Sequence, residues 1–253
     1  MRRLGGVRVT LLVTCVVDLV EPEVAEATVR VLRAAGCDVT VAADQTCCGQ
    51  PAWNAGHAPE AAKVARTTLA ALEAELADGA EAVVVPSGSC TSMVRMFWPE
   101  MFDLSGDADA ADRARAVGAV TFELSEFLAE RELPALTGGE RRVAYHHSCH
   151  MLRELGIRAA PERLVDRVAG AERVAWDGDD RCCGFGGLFS VKLPELSIAM
   201  ADEKLTELAA ADPDVLVGCD TSCLAQLRAR SEAVGLPVRA RHLAQLLDDA
   251  LPT

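Results

Sequence analysis

Arg181-Cys182-Cys183-Gly184-Phe185-Gly186-Gly187 is the stretch that decides how this chain folds. Adjacent cysteines followed by glycine are uncommon, and a second copy stands at Cys47-Cys48-Gly49. Each copy has a lone cysteine upstream: Cys15 lies 32 positions before Cys47, and Cys149 lies 33 before Cys182. Each also has one downstream, Cys90 following Cys48 by 42 positions and Cys223 following Cys183 by 40. The set recurs at offsets of 134, 135 and 133 residues. Recurrence in register marks an internal repeat, so the chain divides into two related halves.

Outward from the cysteines, short apolar runs alternate with helical periodicity. In the first half, strands are expected at Val7–Val13, Asp38–Ala42, Ala82–Pro86 and Val120–Phe122. Helices are expected at Glu21–Ala35, His57–Ala77, Met93–Phe102 (with Pro99 a complication), Leu104–Ala119 and Leu124–Arg131. Leu133–Glu140, with a proline and a glycine pair, reads as a linker. The order then repeats: strands at Arg142–His146, Arg173–Trp176 and Val215–Gly218, helices at Pro161–Val168, Pro194–Ala210 and Cys223–Val234. Glu123-Leu-Ser-Glu-Phe-Leu128 and His242-Leu-Ala-Gln-Leu-Leu247 match as the ends of the halves. The expected fold is α/β, two pseudo-symmetric halves (1–135 and 136–253), each a mostly parallel sheet flanked by helices. Every repeated cysteine then sits at the carboxyl end of a strand, the edge where such sheets bind ligands.

Half of the 253 residues are apolar and a quarter are charged, enough for a sizeable core. A net charge of −13 opposes nucleic-acid binding and unaided docking to an anionic membrane. Met1-Arg2-Arg3 before Val7–Val13 resembles the start of a leader, but the apolar run is only seven residues and Asp18 and Glu21 follow. No run reaches the ~18 apolar residues of a membrane helix. The expected location is cytoplasmic, where structural disulfides are rare and ten cysteines point to metal or redox chemistry.

Cys37, outside the repeat, reads as apolar filler. The eight repeated cysteines do not, since filler has no reason to recur in register. Four thiolates per half suit zinc, although adjacent cysteines make a cramped chelate for a single ion. An iron–sulfur cluster spreads its ligands over separate irons and accommodates neighbouring sulfurs more easily. Gly49 and Gly184 permit a tight backbone and bring amide N–H groups toward such a cluster. His146, His147 and His150 flank Cys149 and are weaker candidates as ligands or proton donors. Gly184, Gly186 and Gly187 complete no G-x-G-x-x-G pattern. Met93, Met96, Phe97, Trp98 and Met101 form an apolar patch suited to core packing or to a partner surface.

The doubled Cys…Cys-Cys-Gly…Cys pattern resembles the cysteine-rich (CCG) domain proteins, which include the B subunit of heterodisulfide reductase and the glycolate oxidase iron–sulfur subunit. The short two-domain form is most similar to the lactate utilization protein A family, through Pro86-Ser-Gly-Ser-Cys90, Tyr145-His-His-Ser-Cys-His150 and Cys182-Cys-Gly-Phe-Gly-Gly187. The resemblance implies 4Fe-4S clusters, one on Cys15, Cys47, Cys48 and Cys90 and one on Cys149, Cys182, Cys183 and Cys223. It implies a subunit of an oxidoreductase that passes electrons from L-lactate as pyruvate forms. Its partners would be other subunits of that system, and any peripheral membrane association would run through them. Heterodisulfide-reductase relatives end each motif in Cys-x-x-Cys; here Ser87 and Asp220 replace the first cysteine, Cys219 lies beside Asp220, and an acidic residue is expected where His147 stands. Two other readings stay open at this level. One is a cluster that reacts directly with a disulfide or quinone, with Cys219 taking part; the other is a zinc-bound scaffold.

Overall fold

Two four-stranded, all-parallel sheets form the frame of the computed structural model, which describes residues 6–236 and 238–252. Met1-Arg2-Arg3 lie outside the described residues. The first sheet contains β1 (Arg8–Leu11), β2 (Asp38–Val41), β3 (Ala82–Val85) and β4 (Thr121–Glu123), in the order β2-β1-β3-β4. The second contains β5 (Leu136–His146), β6 (Val168–Val174), β7 (Val215–Gly218) and β8 (Ala240–His242), in the matching order β6-β5-β7-β8. β3 (Ala-Val-Val-Val) and β7 (Val-Leu-Val-Gly) are buried throughout, the continuous apolar run that helices on both faces of a parallel sheet demand. The expected fold class holds.

Some boundaries differ from expectation. Leu136–Glu140 is no linker but the first part of β5, pairing with β6 through an irregularity between Thr137 and Arg141. Gly139, at φ +69°, supplies the left-handed residue that lets the strand absorb the glycine pair. β6 starts at Val168 rather than Arg173 and stops before Trp176. Leu104 ends one helix, and the next starts at Ala108 with the Asp107 carboxylate accepting from the Ala110 N–H. Pro99 is accommodated where a π-helical stretch, Met93–Phe97, joins helices Gly88–Ser92 and Trp98–Leu104.

The halves are interlocked. Helix Leu124–Ala129, which follows the first sheet, packs on helix Ala159–Asp166 of the second half. Helix Leu243–Asp249 reciprocates on helix Pro22–Ala34 of the first half, where Arg30 grips Asp248 with bonds of 2.8–3.0 Å. One core therefore runs through both halves, joining Leu11 and Val31 with Leu128, Tyr145, Val217 and Leu247. Each half keeps a smaller core on its outer face, around Trp98 and Phe102 in the first and Leu205 and Leu224 in the second. No helix among the described residues is long and apolar enough to cross a membrane.

Candidate metal centre

In each sheet the strand order reverses between the two central strands, β1 and β3 or β5 and β7, and a crevice opens beyond their carboxyl ends. Cys15 begins helix Cys15–Val20 just after β1, and Cys90 lies in helix Gly88–Ser92 just after β3. Cys149 and Cys223 hold the same places after β5 and β7, in helices Cys149–Arg153 and Thr221–Ala233. The Cys-Cys pairs occupy the loops after the neighbouring strands, β2 and β6. Helix Gly88–Ser92 packs on helix Cys149–Arg153 across the interface. Gly88 permits this approach, since a Cβ there would lie 2.5 Å from that of Met151. All eight repeated cysteines consequently line one cavity of about 110 Å³ between the halves.

Within each half the sulfurs are close. Cys15 Sγ lies 3.6 Å from Cys47 Sγ, Cys48 Sγ 3.5 Å from Cys90 Sγ, and Cys183 Sγ 2.9 Å from Cys223 Sγ. All ten cysteines are free thiols. Hydrogen bonding from Cys15, then Cys48, holds Cys47 down at about 3, and the Gly49 N–H adds to this at 3.4 Å. In the second half Cys149, then Cys183, holds Cys182 down at about 2, with help from the Gly184 N–H. The flanking thiols Cys15, Cys48, Cys149 and Cys183 are pushed up, chiefly by donating to those same neighbours. Each half thus concentrates negative charge on the first member of its pair.

The glycine after each pair is structurally required. Gly49 and Gly184 have φ of +87° and +82°, and a Cβ on either would lie 2.8 Å from the Ala61 carbonyl oxygen or 2.4 Å from that of Ser197. The chain therefore folds back on the following long helix with a bare backbone amide facing the sulfur.

Other candidates scatter. Met93, Trp98 and Met101 are fully buried, with Trp98 Nε1 donating to the Cys48 carbonyl at 2.8 Å, whereas Met96 is exposed. Cys37 is buried in the shared core. Cys219 is not among the described residues lining the cavity; its sulfur accepts from the Tyr145 hydroxyl at 3.1 Å. His147 Nε2 sits 3.1 Å from Glu162, and His150 Nδ1 3.6 Å from Cys149 Sγ inside the cavity. His146 is buried beside Cys183 and Cys223.

Sequence reasoning missed the polar residues that tie the halves together behind the thiols. The Asp220 Oδ1 accepts from the Ser87 and Ser89 hydroxyls and the Ser89 N–H. His242 Nε2 donates to the Pro86 carbonyl at 3.1 Å, while its Nδ1 accepts from the Ala244 N–H. Glu123, its counterpart, caps helix Leu124–Ala129. Lys204, buried over the Trp176 ring, donates to the Gly178 and Arg181 carbonyls; burial brings it down to about 8. The pairing of Glu123 with His242 was visible as the matched segments, but not that both would become buried caps.

Duplicated parallel sheets with a Cys, Cys-Cys-Gly, Cys site at each carboxyl edge define a two-domain cysteine-rich protein. The family model described as a cysteine-rich domain (CCG) matches residues 9–95 and again 143–228. Lactate utilization protein A of Exiguobacterium sp. is 41% identical over 245 residues, covering 96% of this chain and 98% of that protein. The protein of the same name from Geobacillus kaustophilus is also 41% identical, covering 95% of this chain and 98% of its own. This chain belongs to the lactate utilization protein A family. A hypothetical protein from Helicobacter pylori, 9% identical with a TM-score of 0.69, shares the fold; the alignment covers 98% of this chain and 49% of that one.

Proposed function

We propose that the chain binds two iron–sulfur clusters of the 4Fe-4S type. Cys15, Cys47, Cys48 and Cys90 would hold one, and Cys149, Cys182, Cys183 and Cys223 the other. It would carry electrons in the oxidation of L-lactate to pyruvate as one subunit of a cytoplasmic oxidoreductase system. The carrying observation is the gathering of four free thiols at the carboxyl edge of each sheet, both sets lining one cavity.

The residues suit such a group. The donor set is all sulfur, which favours iron–sulfur or zinc over harder ions. Adjacent Cys47 and Cys48 serve separate irons more readily than one zinc. The Gly49 amide already points at a sulfur, and Lys204 places a cation behind the second site. A bound cluster would supply one-electron chemistry. The chain's own part is to hold the thiolates, back them with the apolar core of each half and set potentials through amide N–H groups and buried charge.

The protein's relatives carry the lactate utilization name, and this supports the choice of substrate. Hydride acceptance from lactate is assigned to a partner subunit, because the chain completes no dinucleotide-binding glycine pattern. Anaerobic protein mixed with lactate alone should stay oxidised, and reduction should appear when the partner subunits are added. Lactate oxidation by the isolated chain would contradict this division of labour.

A further inference from the structure

The two sites are not chemical copies. Thr221, two residues before Cys223, aligns with Gly88, two residues before Cys90. The packing of the halves enforces the difference. Helix Gly88–Ser92 lies against helix Cys149–Arg153, and a Cβ at Gly88 would fall 2.5 Å from the Met151 Cβ, so the first half has no room for a side chain there. Thr221 is 3% exposed and lines the cavity with the thiols, and its Oγ1 has no hydrogen-bond partner among the described residues. Threonines inside the helices return their hydroxyl to the carbonyl four residues back, as Thr28 does to Val24 at 2.7 Å and Thr206 to Asp202 at 2.8 Å. Thr221 is the first residue of helix Thr221–Ala233 and has no helical carbonyl behind it. The neighbouring carboxylate does not take the bond either: Asp220 Oδ1 is occupied by Ser87 and Ser89, and Oδ2 is itself unpartnered. Buried hydroxyls are nearly always paired, so an orphaned one on the wall of a ligand cavity points to an acceptor that the ligand supplies. The acceptors an iron–sulfur group brings are its sulfides and the thiolate sulfurs that hold it.

We propose that the Thr221 hydroxyl donates to a sulfur of the metal group in the second site and helps to set its potential. This rests on the reading that the thiols hold iron–sulfur clusters. Reduction adds negative charge to a cluster, and a hydrogen bond to its sulfur strengthens with that charge, so the potential rises. Gly88 offers the first site no such donor. The buried Lys204 cation acts in the same direction at the second site. An electron reaching either site therefore settles on the second.

The test is a potentiometric titration of anaerobic protein followed by electron paramagnetic resonance, with iron counted on the same sample. The unmodified protein should show two midpoints. Thr221→Val keeps the shape of the side chain and removes the hydroxyl. It should lower the higher midpoint by about a tenfold change in the reduced-to-oxidised ratio, ~59 mV for one electron, and leave the lower midpoint in place. Thr221→Ser restores the hydroxyl and should recover most of that shift. Two clusters' worth of iron with coincident midpoints in the unmodified protein would overturn the assignment, whether or not the Val variant loads. So would a fully loaded Val variant with unmoved midpoints, or a Ser variant that shifts as far as Val. Those results leave the cluster reading standing, whereas iron short of two clusters in the unmodified protein would overturn both.

Discussion

The Ser87 hydroxyl donates to Asp220 at 2.8 Å, and these two residues hold the same position in the two halves. Each stands three residues before the last cysteine of its motif, where heterodisulfide-reductase relatives carry a further cysteine. In place of a fifth thiol per site, this chain has a buried bond that joins the halves. Asp220 also accepts from the Ser89 hydroxyl at 2.7 Å and from its N–H at 3.1 Å, so it anchors the start of the helix that carries Cys90.

Asp220→Ala leaves three donors without their charged acceptor and should destabilise the protein by about 3 kcal/mol. In a double-mutant cycle with Ser87→Ala, the coupling should be about 1–2 kcal/mol, read by urea denaturation. Strict additivity would mean that the contact contributes nothing.

Gly184 and Gly36 share a left-handed φ, +82° and +80°, but only Gly184 has backbone within reach of a Cβ. Gly36→Ala should therefore cost about 1–2 kcal/mol, for backbone conformation alone. Gly184→Ala adds a collision with the Ser197 carbonyl and should cost roughly 2–5 kcal/mol, with iron lost from the second site only. Equal melting temperatures for the two variants would contradict the close approach.

The repeat and the fold class were legible because both are periodic: cysteine offsets near 134, and apolar runs followed by turn residues at Cys15, Cys90, Cys149 and Cys223. The exchange of helices Leu124–Ala129 and Leu243–Asp249 was not. An apolar helix face shows that it must be covered, and says nothing about which half covers it. Gly138-Gly139 reads as a break, yet the flanking residues pair with β6 and carry the strand through. Thr221 left one trace, since its counterpart is glycine, but burial without a partner appears only in three dimensions.

Glu123 is fully buried, and desolvation lifts it from 4.5 to about 7. Between those values the folded protein holds a proton that the unfolded chain releases. This contribution to stability is therefore complete below pH 4.5 and is lost as pH rises to about 7. At about 1.4 kcal/mol per pH unit, the loss approaches 3 kcal/mol. Glu123→Gln keeps an oxygen to cap Ser125 and Glu126 and removes the titration. The stability difference between variant and parent should be smallest near pH 4.5 and should widen in favour of the variant up to pH 7. Parallel stability–pH curves would contradict the shift.

Iron, acid-labile sulfide and zinc counted per chain on anaerobically purified protein test the central claim most directly. Two four-thiol sites predict about eight iron and eight sulfide, with negligible zinc. Zinc without sulfide would contradict the electron-transfer account and leave a metal-stapled scaffold.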